Sequence, residues 1–348
     1  MPTWWPFAVG GAFLLSSLLT PLFARLAQYY KLVDIPTGDR KLHTYVTPFL
    51  GGASVFLALL VPTVIVLGVT DHFTAGDIDI RHFIGFFVGS LILLCGGLLD
   101  DKLNLPPRLS ILFPLLAAVS AVSAGIGVEK ITNPLGQAFL LSPSVSIILT
   151  FIWLLGMMYT TKLLDGLDGL ASGVTMIGAS MIALLALSRE FFQPDVAVLA
   201  FIFAAALLGF LLWNGYPATI FLGEGGSTFI GFTLGVLAVI AGSKLATTLL
   251  VIGVPTLDAA FVIWRRWRER RPLTGGDRTH LHHLLLVAGL SQRAILALYL
   301  FVAAAFGVTS LVFASWQKLI ALVILAALSA LTISVLHRKY QHVNYAHK

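Results

Sequence analysis

"FIGFFVGSLILLCGGLLDDKLNLPPR", residues 83–108, drives an uncharged apolar run straight into two adjacent carboxylates, Asp100 and Asp101. About 20 helical residues cross ~30 Å of hydrocarbon, and ionised side chains are costly at that depth, so the run reads as a membrane helix that ends at its acids. Similar runs recur near residues 5–26, 48–69, 109–127, 143–160, 172–188, 196–212, 227–241, 245–264, 294–313 and 319–336. The chain has 348 residues, 58% hydrophobic and only 11% charged, against about 25% charged in ordinary soluble domains. The expected fold is all-α: a polytopic membrane helical bundle of about 11 spans, with residues 1–348 forming one integral membrane domain. No basic segment or cleavage motif surrounds the first run, so it reads as a permanent span with Trp4 and Trp5 at the interface. Cys95 is the single cysteine, which excludes internal disulfides and cysteine-cluster metal sites and suggests plain packing.

Cytoplasmic loops carry excess Lys and Arg. Assigned to alternate connections, 17 of the 22 basic residues fall on one side and 5 on the other. The N-terminus is therefore expected outside and the C-terminus inside, with cytoplasmic loops near 27–47, 100–108, 161–171, 213–227 and 265–293. The net charge of +6 suits anionic lipid and anionic substrates there. Basic residues that flank spans form no nucleic-acid surface, so nucleic acid is excluded as a partner. Asp100, Asp101, Asp165, Asp168, Glu224, Asp258 and Asp277 gather at inner ends, as do His43, His280, His282 and His283. On the outer side, Asp71, Asp79 and Asp195 read as solvated surface.

Five inner segments carry chemistry-bearing residues. In "GLLDDKLNLPP" a Pro pair stops a helix whose C-terminal carboxylates oppose the macrodipole, so they need a function or a partner. In "KLLDGLDGLASG", residues 162–173, Asp165 and Asp168 share a face if the segment is helical, while Gly166 and Gly169 leave room for a ligand. Loop carboxylates paired with Lys162 are the plainer reading. "WNGYPATIFLGEGGSTFIGF", 213–232, sets Asn214 and Glu224 in a Gly-rich turn that suits phosphate or serves as a hinge. "RRWRERRPLTGGDRTHLHHLLL", 265–286, joins a basic anchor to Asp277, Arg278, His280, His282 and His283. Zinc lacks cysteine support there, and a phosphate or sugar fits better. "DIPTGDRKLHTYVTPFLGG", 34–52, adds Arg40, Lys41 and His43 on the same side. Carboxylates with basic groups at one membrane edge suggest a hard cation, Mg²⁺ with Mn²⁺ as a substitute, that holds phosphates for phosphoryl transfer.

These segments resemble those of the polyprenyl-phosphate N-acetylhexosamine-1-phosphate transferases over essentially the whole chain, and "VPTLDAAFVIWRR", 254–266, adds to the likeness. The histidine segment is more similar to the branch that uses UDP-N-acetylglucosamine than to the phospho-MurNAc-pentapeptide branch. The resemblance implies transfer of a sugar 1-phosphate from a UDP-sugar to undecaprenyl or another polyprenyl phosphate with release of UMP. It places this at the cytoplasmic face of the plasma (inner) membrane, as a first membrane step of cell-envelope glycan synthesis. It implies that Asp100, Asp101, Asp165 and Asp168 are catalytic and that Glu224 with Asp101 holds Mg²⁺. Lys41, Lys102, Asn214, Arg278, His280, His282 and His283 are then expected to bind substrate. The chain departs from the pattern at Tyr159 and Lys162, where Asn is expected, and at Ser110 (Lys), Phe49 (Arg) and Glu224 (Asp). The expected partners are the UDP-sugar, the lipid phosphate and the membrane, with a homodimer left open. A UDP-MurNAc-pentapeptide phosphotransferase and an ion-coupled transporter are the alternatives.

Overall fold

The computed structural model describes residues 3–36, 45–76, 78–131, 133, 138–189, 191–242, 244–270 and 279–346. In chain order its elements are α1 (Trp5–Tyr29), β1 (Val33–Asp34), β2 (Thr47–Pro48), α2 (Gly51–Val69), α3 (Ile80–Leu103), α4 (Pro107–Ser110) and α5 (Leu112–Ser123). There follow β3 (Lys130–Ile131), β4 (Phe139–Leu140), α6 (Pro143–Leu164), α7 (Leu170–Ala186), α8 (Pro194–Asn214) and α9 (Gly223–Ile240). The chain closes with α10 (Leu245–Arg268), α11 (Leu281–Val287), α12 (Gln292–Val312) and α13 (Ser315–Ala346). It is an all-α polytopic membrane fold. Among the described residues nine helices are long and apolar enough to cross a bilayer, and two shorter apolar helices occupy Pro107–Ser123 and Leu170–Ala186.

α9 is the hub. It is apolar on every side, as a helix wrapped by others must be, and it packs on α2, α3, α6 and α7. In lipid no hydrophobic drive pulls helices together, so close backbone packing at small residues does the work. Gly97 of α3 lies against Gly225 of α9, and Gly52 of α2 against Gly226, so closely that a Cβ on Gly97 or Gly52 would fall on the facing backbone. Leu91 of α3 and Val323 and Leu331 of α13 point outward, as lipid-facing positions do.

The two short strands β1 and β2 pair antiparallel, Val33 opposite Pro48 and Asp34 opposite Thr47. The Phe221 N–H donates to Pro48 O at 2.8 Å, and Phe221 O and Leu222 O accept from the N–H groups of Gly51 and Gly52 at 2.9 and 3.0 Å. This seam ties the entry into α2 to the segment that leads into Glu224.

Three sequence readings are corrected here. Asp165–Gly169 is a turn between α6 and α7, since Gly169 takes φ +73°, so Asp165 and Asp168 do not share a helix face. Asp195, expected as solvated surface, is 5% exposed and lies against Gly76. Cys95 is exposed on the outside of α3 instead of packed inside.

Candidate active site

The C-terminal ends of α3 and α6, the N-terminal ends of α7 and α9, and the β1 strand meet around a cavity of about 780 Å³. Asp100, Asp101, Asp165, Asp168 and Glu224 all line it, with Asp34, Lys162 and His283. Residues from distant parts of the sequence are brought together because the helix termini and connections that carry them lie at the same end of the bundle.

Local backbone geometry aims each acid. α3 ends with Asn104 in the left-handed region at φ 50°, a conformation its short polar side chain tolerates. The chain then turns back, so that the Leu105 N–H donates to Asp100 Oδ1 at 3.0 Å and the Ser110 hydroxyl to Oδ2 at 2.7 Å. Asp101 Oδ2 accepts the Glu224 N–H at 3.0 Å, which joins α3 to the first turn of α9. Asp168 Oδ2 accepts the Ala218 N–H at 2.9 Å. Among the described residues Asp165 has no hydrogen-bond donor. Its carboxyl is pushed up to about 7, first by burial and then by the charges of Glu224, Asp101 and Asp168. Lys162 forms an ion pair with Glu224, and not with the aspartates of its own segment.

The other expected substrate ligands divide. His283 lines the cavity. His282 is 2% exposed and backs onto Gly166, where a Cβ would meet its Nε2. Burial, followed by the neighbouring His283 and His280, holds the His282 imidazole well below the ordinary histidine range, so it stays neutral. His280 is also buried, with Nδ1 2.9 Å from Asp258 Oδ2. The Asn214 side chain is spent internally: Oδ1 accepts from the Ser172 hydroxyl at 2.7 Å and Nδ2 donates to Ile220 O at 3.0 Å. Lys102 is exposed and does not line the cavity. Lys41 and Arg278 lie outside the described residues.

Sequence reasoning passed over Asp34 and gave Asp258 no role. Asp258 carried a usable signal, a lone carboxylate inside an apolar run, the same pattern that singled out Asp165. Asp34 carried none beyond its place in a polar loop.

The fold and cavity define a multi-pass membrane protein with an acid-lined site at one end of its helix bundle. Residues 83–242 match the sequence profile of glycosyl transferase family 4. A Bacillus subtilis (strain 168) protein named as a probable undecaprenyl-phosphate N-acetylglucosaminyl 1-phosphate transferase is 34% identical over 81% of this chain and 78% of its own length. The decaprenyl-phosphate N-acetylglucosaminephosphotransferase of Mycobacterium leprae is 30% identical, covering 87% and 82%. The undecaprenyl-phosphate alpha-N-acetylglucosaminyl 1-phosphate transferase of Escherichia coli K12 is 27% identical, covering 84% and 79%. The chain belongs to glycosyl transferase family 4.

Proposed function

We propose that this protein transfers N-acetylglucosamine 1-phosphate from UDP-N-acetylglucosamine to undecaprenyl phosphate, yielding the polyprenyl-diphosphate sugar and UMP at the cytoplasmic face of the cell membrane. The observation that carries the reading is the single cavity that gathers Asp100, Asp101, Asp165, Asp168, Glu224, Lys162 and His283 at one end of a membrane bundle. The names of the relatives point the same way.

Charge bears on the cofactor. Among the described residues, six carboxylates, those of Asp34, Asp100, Asp101, Asp165, Asp168 and Glu224, line the cavity with one ammonium, that of Lys162. Two phosphate-bearing substrates cannot enter such a field without added positive charge. Mg²⁺ fits the residues present: the acidic donors are hard oxygens, and Asp165 lines the cavity half-buried with no hydrogen-bond donor of its own among the described residues. No three of the described His, Cys, Asp or Glu side chains form a ready ligand cluster. That also suits Mg²⁺, which is commonly held by one or two carboxylates together with substrate phosphates. Glu224 and Asp101 would hold it, and Mn²⁺ could replace it. Such an ion, when bound, neutralises charge on the diphosphate.

In the reaction an oxygen of the lipid phosphate bonds to the sugar-bearing phosphorus, the bond from that phosphorus to the bridging oxygen breaks, and UMP leaves with the electron pair. The lipid phosphate is mostly dianionic at neutral pH, since a phosphate monoester has a second pKa of ~6. Asp100 accepts at both oxygens, from Leu105 and Ser110, which fixes its carboxylate, and with a dianionic nucleophile its part is to position. Lys162 sits where it can turn to a phosphate, and His283 faces the same space.

Eleven spans with the N-terminus outside form part of the proposal, supported by nine long and two shorter apolar helices and by the 17 against 5 division of basic residues. A transporter would carry its ion-binding carboxylates near the midplane in broken helices, whereas these lie at helix ends. The test is UMP release by purified protein with UDP-N-acetylglucosamine, with and without undecaprenyl phosphate and in Mg²⁺ or EDTA, beside an Asp168→Asn control. Lipid- and Mg²⁺-dependent UMP that the control loses is expected. A folded, monodisperse sample that releases none across UDP-sugars and polyprenyl phosphates would reject the reading.

A further inference from the structure

Asp258 on α10 is a carboxylate that the reaction described above does not use. It is 4% exposed inside an otherwise apolar stretch, which is costly unless both its oxygens are bonded. They are: Oδ2 lies 2.9 Å from His280 Nδ1, and Oδ1 accepts the Leu281 N–H at 2.9 Å. One side chain therefore caps the first turn of α11 and holds the imidazole just ahead of it. A cap alone calls only for a neutral acceptor such as Asn or Ser. A carboxylate, which accepts at both oxygens, adds the second demand: Nδ1 of His280 must carry the proton, and the ring is locked about that bond.

The locked ring is the first of a stack. His280 and His282 lie parallel, with centroids 5.7 Å apart and planes inclined by 6°. His282 contacts His283 at 4.3 Å between centroids, and His283 lines the cavity. His282 also fills the space beside Gly166, inside the turn that carries Asp165 and Asp168. From the Asp258 carboxylate on α10, a line of three histidine rings thus runs to two parts of the cavity wall.

We propose that Asp258 is a positioning residue which, by fixing His280 through Nδ1, sets the placement of His283 and of the Asp165–Asp168 turn around the substrates. The inference rests on the phosphotransferase reading for its kinetic consequence but not for the hydrogen bond itself, and two readouts separate them. Asp258→Asn keeps an acceptor for the Leu281 N–H but offers His280 only an amide N–H₂, so the cap survives while the ring loses its charged acceptor and keeps a bond at Nδ1 only as a weaker one in the other tautomer. Losing the group that orients a functional histidine typically costs about 10–100-fold, and a fall in kcat of that size is expected at nearly unchanged Tm. Because Asp258 acts through His280, the double variant D258N/H280Q should lose no more than the worse single variant.

The second readout is the ¹⁵N spectrum of histidine-labelled protein in bilayers. Wild type should show an Nδ1-protonated signal that disappears in both H280Q and D258N. Unchanged kcat in D258N, single-variant losses that multiply in the double, or absence of that signal from wild type would each overturn the proposal. Should D258N fail to fold, H280Q alone decides it, since wild-type kcat in H280Q is equally fatal. A wild-type protein that shows the signal but releases no UMP would reject the proposed reaction and leave the Asp258–His280 pairing supported.

Discussion

Replacing Gly97 with Ala tests whether the cavity depends on two helix backbones in contact. A Cβ at Gly97 would fall on the backbone N and Cα of Gly225, the residue after Glu224. Backbone cannot swing aside as a side-chain tip can. Carbon atoms settle about 3.5–4 Å apart, so α3 and α9 must part by roughly 1 Å or more. The bond from the Glu224 N–H to Asp101 Oδ2 is 3.0 Å long, and such bonds lose their strength beyond ~3.2 Å, so it breaks. Overpacking costs about 1–3 kcal/mol, offset by about 1 kcal/mol for Ala over Gly in a helix. A net loss of ~0–2 kcal/mol leaves the protein folded. Misplacing reactive groups by ~1 Å costs about 100-fold in rate, so kcat/KM for UMP release should fall about 100-fold while Tm falls only modestly. Gly156→Ala on α6, where nothing lies within 4 Å of the added Cβ, is the matched control and should be neutral. Wild-type kcat/KM in G97A, or equal damage in G156A, would refute the argument.

Asp165, raised from an ordinary 3.8 to about 7, keeps a proton that the unfolded chain has already lost between those values. The Tm in EDTA should therefore fall as pH rises from 4 to 7, and because burial also pushes Asp101 up to about 7, Asp165→Asn should lessen that slope and added Mg²⁺ flatten it in differential scanning fluorimetry; a flat wild-type profile would count against the donor-free carboxylate. Lys162→Asn frees Glu224 from its ion pair, so Mn²⁺ titrated by electron paramagnetic resonance should bind more tightly than to wild type, and equal affinity would show that the pair does not compete with a metal. Asn214→Ala leaves the Ser172 hydroxyl and Ile220 carbonyl without their partner in a buried site, which costs about 1–3 kcal/mol. Its Tm should drop clearly, and activity with it, because the 215–222 segment presents the Ala218 N–H to Asp168; a drop in activity alone would make Asn214 a substrate ligand instead.

The long apolar runs left little choice about the fold, because a bilayer admits few ways of satisfying backbone polar groups other than helices. Acids that interrupt such runs also revealed most of the site: Asp100, Asp101, Asp165, Asp168 and Glu224 were legible as carboxylates too costly to be incidental. Their partners were not. That Lys162 pairs with Glu224 across α6 and α9, and not with Asp165 three residues on, depends on which helix ends meet. The same holds for the tie between Asp101 and the Glu224 N–H, 123 residues apart in sequence. Spacing left the Asp165–Asp168 segment open between a helix face and a loop, and it is a turn, with Gly169 in the left-handed region where the chain enters α7.

By itself, the sequence determined the solvent this chain folds in, that its apolar segments are helices, and which ionisable residues would be strained without a purpose. Those properties are sums over local transfer energies, and each residue contributes whatever its neighbours are. Tertiary structure alone decided that His283 lines the cavity while His282 is sealed behind Gly166, that Asn214 is spent on a loop, and that Asp258 bonds His280. Each of these depends on which backbones approach within a side chain's length, and in a membrane that is set by helix packing between segments far apart in the chain.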